Sequence, residues 1–153
     1  MQEKEMLILQ RASAEDCQFL YKLRNDETVR RNSFQTERIP YEQHEAWFLR
    51  KMSDKNTRVY ILRETGVRAG QVRVDIDGAR AEISYALCME ARGRGLGRWM
   101  LTELEQQLVK EQACDELVAE VKRENIASQK IFRSLGYVES SKEFGYCYRK
   151  KIR

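Results

Sequence analysis

Proline and histidine are almost missing from this chain of 153 residues, which holds one of each, Pro40 and His44. No stretch rich in Pro, Ser or Gly divides it and no internal repeat shows, so a single domain over residues 1–153 is expected. Long apolar runs are missing too. The longest has five residues, Tyr85-Ala86-Leu87-Cys88-Met89, against roughly 18 for a membrane span, so no membrane association is expected. No charged stretch followed by an apolar one opens the sequence, which argues against secretion. The four cysteines, Cys17, Cys88, Cys114 and Cys147, are far apart and form no C-x-x-C, a pattern that fits neither a zinc site nor a disulfide framework. No metal and a cytoplasmic location are expected. Charge of one sign is also in short supply: 28 Lys and Arg against 24 Asp and Glu leave +4, which is mild for a nucleic-acid binder and suits small anionic ligands. What is present is a 42% hydrophobic and 34% charged composition, enough for a core beneath a solvated surface.

The apolar spacing places the elements. Residues 6–11 have strand character, and Ser13 offers an N-cap for a helix to Asn25 with Cys17, Leu20 and Leu23 inward. Residues 30–39 read as polar and irregular. After Pro40 a second helical pattern puts His44, Trp47, Phe48, Lys51 and Met52 on one face. From Thr57 the period becomes 2, and residues 58–63, 71–76 and 81–87 read as strands. Asp77-Gly78 is a hairpin signal; with that pair as the turn, Arg73 faces Glu82 and Val74 faces Ala81. Beyond Gly95, Leu96, Met100, Leu104 and Leu108 recur at i, i+4. A strand at 116–121, a helix from Asn125 to about Gly136 and two terminal strands complete a mixed α/β sheet with helices on both faces.

The chemistry concentrates in Arg92-Gly93-Arg94-Gly95-Leu96-Gly97 and Arg98, between a strand and an amphipathic helix. Glycines let a backbone approach a ligand closely, and the first turn of a helix offers unpaired N–H groups to an anion such as a pyrophosphate. The segment lacks the G-K-[ST] of a P-loop, and the antiparallel hairpin before it excludes a dinucleotide-binding βαβ unit.

Arg92-x-x-Gly95-x-Gly97 after Ala81-Glu82-Ile83-Ser84-Tyr85, the strand near 117–121, Asn125-Ile126-Ala127-Ser128 and Leu135-Gly136-Tyr137 together resemble the GNAT family of acetyl-CoA-dependent N-acetyltransferases. The N-terminal part, with Leu23-Arg24-Asn25-Asp26, Asn32-Ser33-Phe34, His44 and Trp47-Phe48, is similar to the PseH-type branch that acetylates nucleotide-linked amino sugars. The resemblance implies a mostly antiparallel sheet of about six or seven strands, splayed where the pantetheine arm of acetyl-CoA lies in the gap. It implies that Leu87, Cys88 and Met89 offer backbone hydrogen bonds to that arm. Arg92, Gly93, Arg94, Gly95, Leu96, Gly97 and Arg98 would hold the pyrophosphate, with Asn125 and Ser128 near the pantetheine. The acceptor would be the 4-amino group of a UDP-linked amino sugar, met by Arg24, Asn25, His44, Trp47 and Arg73. A homodimer is compatible with this reading.

Glu82 matches a position where some family members carry a catalytic glutamate; a cross-strand ion pair with Arg73 is the competing reading and would weaken it as a base. The tyrosine that many members use to protonate the departing thiolate is replaced here by Phe132. Ser128 and Tyr137 are the candidates to stand in for it. Asn125 also reads as an ordinary helix cap, His44 as a buried helix histidine and Cys88 as a small strand residue. A RimI- or RimJ-like protein N-terminal acetyltransferase, with an open peptide groove, and a non-catalytic acetyl-CoA-binding module remain as alternatives.

Overall fold

The computed structural model describes residues 6–153. Its strands are β1 (Leu7–Arg11), β2 (Thr57–Glu64), β3 (Val67–Asp77), β4 (Arg80–Leu87), β5 (Glu116–Lys122), β6 (Val138–Lys142) and β7 (Gly145–Lys151). Its helices are α1 (Cys17–Asn25), α2 (Glu27–Asn32), α3 (Tyr41–Ser53), α4 (Leu96–Lys110) and α5 (Ile126–Ser134). The strands form one sheet in the order β1-β2-β3-β4-β5-β7-β6, as expected for a mixed sheet. No helix of the described residues is long and apolar enough to cross a membrane.

Strand β2 is buried on both faces, which is why its middle reads as a continuous apolar run. Alternation sends Val59 and Ile61 toward Cys17 and Leu20 of α1 and Phe48 of α3. Tyr60 and Leu62 point the other way, into a larger core with Val72, Val74, Leu117, the α4 row of Met100, Leu104 and Leu108, and Phe132 of α5. That α4 row is fully buried, as its four-residue spacing requires.

Two expectations need correction. Residues 30–39 are not irregular throughout, because α2 runs on to Asn32; Asp26 Oδ1 caps it, accepting the Val29 N–H at 3.0 Å. This helix of six residues buries none of them, so no apolar stripe marks it. The hairpin is the second. Its two-residue turn is Gly78-Ala79, with Gly78 at φ 62°, the positive first position that glycine supplies at least cost. The register therefore moves by two residues: Asp75 faces Glu82, and Arg73 faces Ser84. An even shift leaves every side chain on its expected face but changes its neighbour.

The parallel pairing of β4 with β5 runs through Arg80↔Glu116, Ala81↔Leu117 and Glu82↔Val118. Beyond it β4 stays with β3 to Leu87, while β5 stays with β7 to Lys122. The sheet thus splays just past Glu82, as expected.

Candidate active site

A cleft of about 500 Å³ follows from that splay. Glu82, Ser84 and Tyr85 of β4 and Ala119, Glu120 and Val121 of β5 form its sides; Ser128 and Phe132 of α5, with Asn125 at its N-cap, close one end. The other end runs beneath α2 and residues 33–39 to Arg24, His44, Trp47 and Arg73. Candidate catalytic and acceptor residues from Arg24 to Ser128, far apart in sequence, share one cavity.

The edge of β4 supplies free backbone groups. The Cys88 N–H donates to Ala69 O at 2.8 Å, and in an antiparallel ladder alternate residues bond to the same neighbour. Even-numbered residues of β4 therefore bond to β3, leaving Tyr85 and Leu87 turned toward the gap. The expected role of the Cys88 N–H is corrected on this ground. The Leu87 carbonyl accepts from Arg92 Nε at 3.1 Å, so its N–H is what remains for a ligand. Met89 lies in a short 3-10 turn and is exposed.

The glycine loop leads into α4. Gly93 and Gly95 take φ values of 73° and 78°, and Gly95 is the N-cap of a helix of 15 residues, so the loop presents a helix N-terminus without intervening side chains. A Cβ on Gly97 would meet Ile131 Cδ1 at 3.0 Å. Leu96 turns its side chain into the core and could contribute only its backbone. Arg98, in the first turn of α4, is exposed. The arginines are less available than their charge suggests. Arg92 Nη2 donates to Asp26 Oδ1 at 2.9 Å, and Arg94 Nη1 donates to Glu64 Oε1 at 2.9 Å. Burial pushes Asp26 up, but the Val29 N–H and Arg92 outweigh it and hold the carboxyl below its usual value. Backbone amides and the helix dipole are what this cradle offers an anion first.

Glu82 stands where the strands part. Arg73 does not pair with it: Arg73 Nε donates to Asp75 Oδ2 at 2.9 Å, and Asp75 also accepts from Lys51 and Thr57. Burial, then the carboxylates of Glu120 and Asp75, raise the Glu82 pKa, and Arg73 only partly opposes them. The corrected register thus surrounds Glu82 with acids and makes it a better base near neutrality.

On the other wall, Ser128 Oγ lies 2.6 Å from Tyr85 Oη. Asn125 caps α5, its Oδ1 accepting the Ser128 N–H at 3.3 Å, while still lining the cleft. Phe132 is buried against Tyr85, Tyr137 and Tyr148. Tyr137 is also buried and its hydroxyl has no partner; it does not line the cleft, which removes it as a stand-in acid. Tyr85 was missed because its alternation marks it as a core residue, and nothing local in sequence shows that a core-facing ring ends on a serine 43 positions away.

At the acceptor end, the guanidinium carbons of Arg24 and Arg73 lie 4.8 and 5.2 Å from the Trp47 ring centroid. Arg24 Nη1 is buried and has no hydrogen-bond partner. His44 is fully buried; its Nε2 lies 3.0 Å from Cys17 O, to which it donates, leaving Nδ1 as an unpaired acceptor. Burial lowers the His44 pKa, the Cys17 carbonyl opposes this, and Arg24 adds to it. The ring is therefore neutral near pH 7. Asn25 is corrected: its amide donates to Ile39 O at 3.1 Å and accepts from Ile39 N at 2.9 Å, so it pins the loop to α1 and does not line the cleft. The loop and α2 roof the cavity, with Phe34 of the loop edge-on to Phe144 at 5.2 Å and Lys122 Nζ donating to Arg31 O of α2 at 3.0 Å. Among the described residues no cluster of His, Cys, Asp and Glu could hold a metal.

Residues 6–138 match the acetyltransferase (GNAT) domain family. Comparison with curated proteins gave no match. Among solved structures, the chain is similar to a domain from Methanocaldococcus jannaschii DSM 2661, with 24% identity, a TM-score of 0.84 and coverage of 97% of this chain and 99% of that one. It is also similar to RimL, a ribosomal L7/L12 alpha-N-protein acetyltransferase in complex with coenzyme A, at 15% identity, TM-score 0.83 and coverage of 95% and 94%. A third likeness is to spermidine N-acetyltransferase from Vibrio cholerae in complex with CoA and spermine, at 16% identity, TM-score 0.80 and coverage of 94% and 92%. At these identities the structural likeness speaks for the fold.

Proposed function

Since the chain belongs to the GNAT acetyltransferase family, we propose that it moves the acetyl group of acetyl-CoA directly to a primary amine, with a nucleotide-linked amino sugar as the acceptor. The α4 N-terminus and glycine loop would receive the pyrophosphate, and the N–H and C=O groups of Tyr85 and the N–H of Leu87 would face the pantetheine arm. Glu82 takes the amine proton, directly or through a water, so that nitrogen can attack the thioester carbonyl. The Ser128 hydroxyl donates toward the sulfur as the C–S bond breaks. Coenzyme A is a thiol, so its thiolate is a modest base, near the cysteine value of about 8.5, and a hydrogen bond suffices to let it leave.

The observation that carries the acceptor class is the Arg24 guanidinium over Trp47 with its buried, unpaired Nη1. A desolvated cation without a carboxylate favours an anionic ligand, and the indole beneath it suits a sugar or base face. The roof over the cavity and its volume of about 500 Å³ favour a small molecule over a peptide, while Arg24 and Arg73 disfavour a polyamine. Replacing Arg24 or Trp47 by alanine is expected to raise KM for a UDP-amino sugar about 10-fold or more, leaving KM for acetyl-CoA within about twofold. Steady-state kinetics with UDP-amino sugars, N-terminal peptides and spermidine as competing acceptors test this. Ready turnover of peptides or spermidine with none of the UDP-amino sugars offered would refute the acceptor class and leave acetyl transfer standing.

A further inference from the structure

The hydroxyls of Tyr85 and Ser128 come from opposite sides of the splay, β4 and α5, and meet at 2.6 Å on the wall of the cleft. The Tyr85 ring is fixed there by its neighbours: it lies edge-on to Phe132 with centroids 6.1 Å apart, and Gly97 is close enough that a Cβ would sit 3.7 Å from Tyr85 Cε2. The ring therefore spans from the start of α4, where the pyrophosphate cradle is, to the serine one turn before Phe132. Among the described residues Ser128 is the sole hydrogen-bond partner of the Tyr85 hydroxyl.

We propose that Tyr85 is a positioning residue for acetyl transfer: its phenol donates to Ser128 Oγ and so turns the serine proton outward to the sulfur of the leaving thiolate. This rests on the transferase reading above and adds to it the residue that makes Ser128 a one-way donor. A lone serine hydroxyl rotates freely and can spend its proton on a nearby backbone carbonyl; once its oxygen accepts from Tyr85, its own O–H is left to turn to the cleft whose wall it forms. A hydrogen bond received also strengthens the one given. Burial raises the Tyr85 pKa and the Ser128 contact only partly offsets it, so the phenol keeps its proton through the working range of pH. The device supplies the donor for which Phe132 has no hydroxyl, using a strand tyrosine behind a helix serine.

Wild type, Tyr85→Phe, Ser128→Ala and the double variant test the pairing by amine-dependent thiol release from acetyl-CoA, alongside KM for acetyl-CoA and thermal unfolding. The expected result is a loss in kcat of about 10- to 100-fold for each single variant, with KM for acetyl-CoA and Tm near wild type. The double variant should be no slower than Ser128→Ala alone, because the two hydroxyls act as one unit. A Tyr85→Phe enzyme with wild-type kcat, a loss confined to KM, or losses that multiply in the double variant overturns the proposal while leaving the transferase reading intact. Wild type that binds acetyl-CoA but releases no thiol with any amine overturns that reading and the proposal with it.

Discussion

Gly95→Val is expected to abolish measurable acetyl-CoA binding, a weakening of about 10²-fold or more, while the chain still folds. A Cβ at Gly95 would meet nothing within 4 Å, so the folded protein has room for it. What the substitution adds is backbone strain at φ 78°, worth about 1–2 kcal/mol, and branched carbon in the space through which an anion reaches the α4 amides. Gly66 provides a matched control: it too has a positive φ, 83°, and open space for a Cβ, in the β2–β3 turn. Gly66→Val should cost similar stability and leave acetyl-CoA affinity unchanged. Calorimetric titration with acetyl-CoA, paired with thermal unfolding, separates the two effects. Equal affinities for both variants and wild type would remove the loop from the cofactor site.

Glu82→Gln should lower kcat by about 10²-fold or more with acetyl-CoA affinity nearly intact. The raised Glu82 pKa fixes the pH dependence. The protonated carboxyl cannot accept the amine proton, so kcat/KM should fall as pH drops through that raised value, with its acid limb above the ordinary glutamate value of 4.5. Asp75→Asn removes one of the carboxylates that raise Glu82 and releases Arg73 from its ion pair. Both changes favour ionised Glu82, and the acid limb should move to lower pH. A Glu82→Gln enzyme with near-normal kcat, or an acid limb unmoved by Asp75→Asn, would point to another base.

The β3–β4 hairpin shows how far residue patterns carry. Alternation identified both strands and the face of every side chain, since those depend only on parity. The register depends on which two residues make the turn, and Asp77-Gly78 and Gly78-Ala79 differ by an even slip that apolar matching hardly distinguishes. The chemistry of Glu82 hung on that slip, because it exchanges an arginine for an aspartate across the strand pair. Helix α4 was legible because it buries a strict four-residue row, and α2 was not because its stability comes from the Asp26 cap. Within the site, the glycine loop was visible as a local pattern. The remainder is long-range: the Asn25–Ile39 clasp, the Cys88–Ala69 bond and the Tyr85–Ser128 pair join residues that only the folded sheet brings together.

The most direct test of the account is amine-dependent release of free thiol from acetyl-CoA by the purified protein, with N-acetylated product measured in the same reaction. Thiol and acetylated UDP-amino sugar formed in equal amounts, with both lost in Glu82→Gln, are the predicted result. Calorimetric binding of acetyl-CoA without thiol release toward any sugar, peptide or polyamine amine would contradict it and leave the chain a binding module.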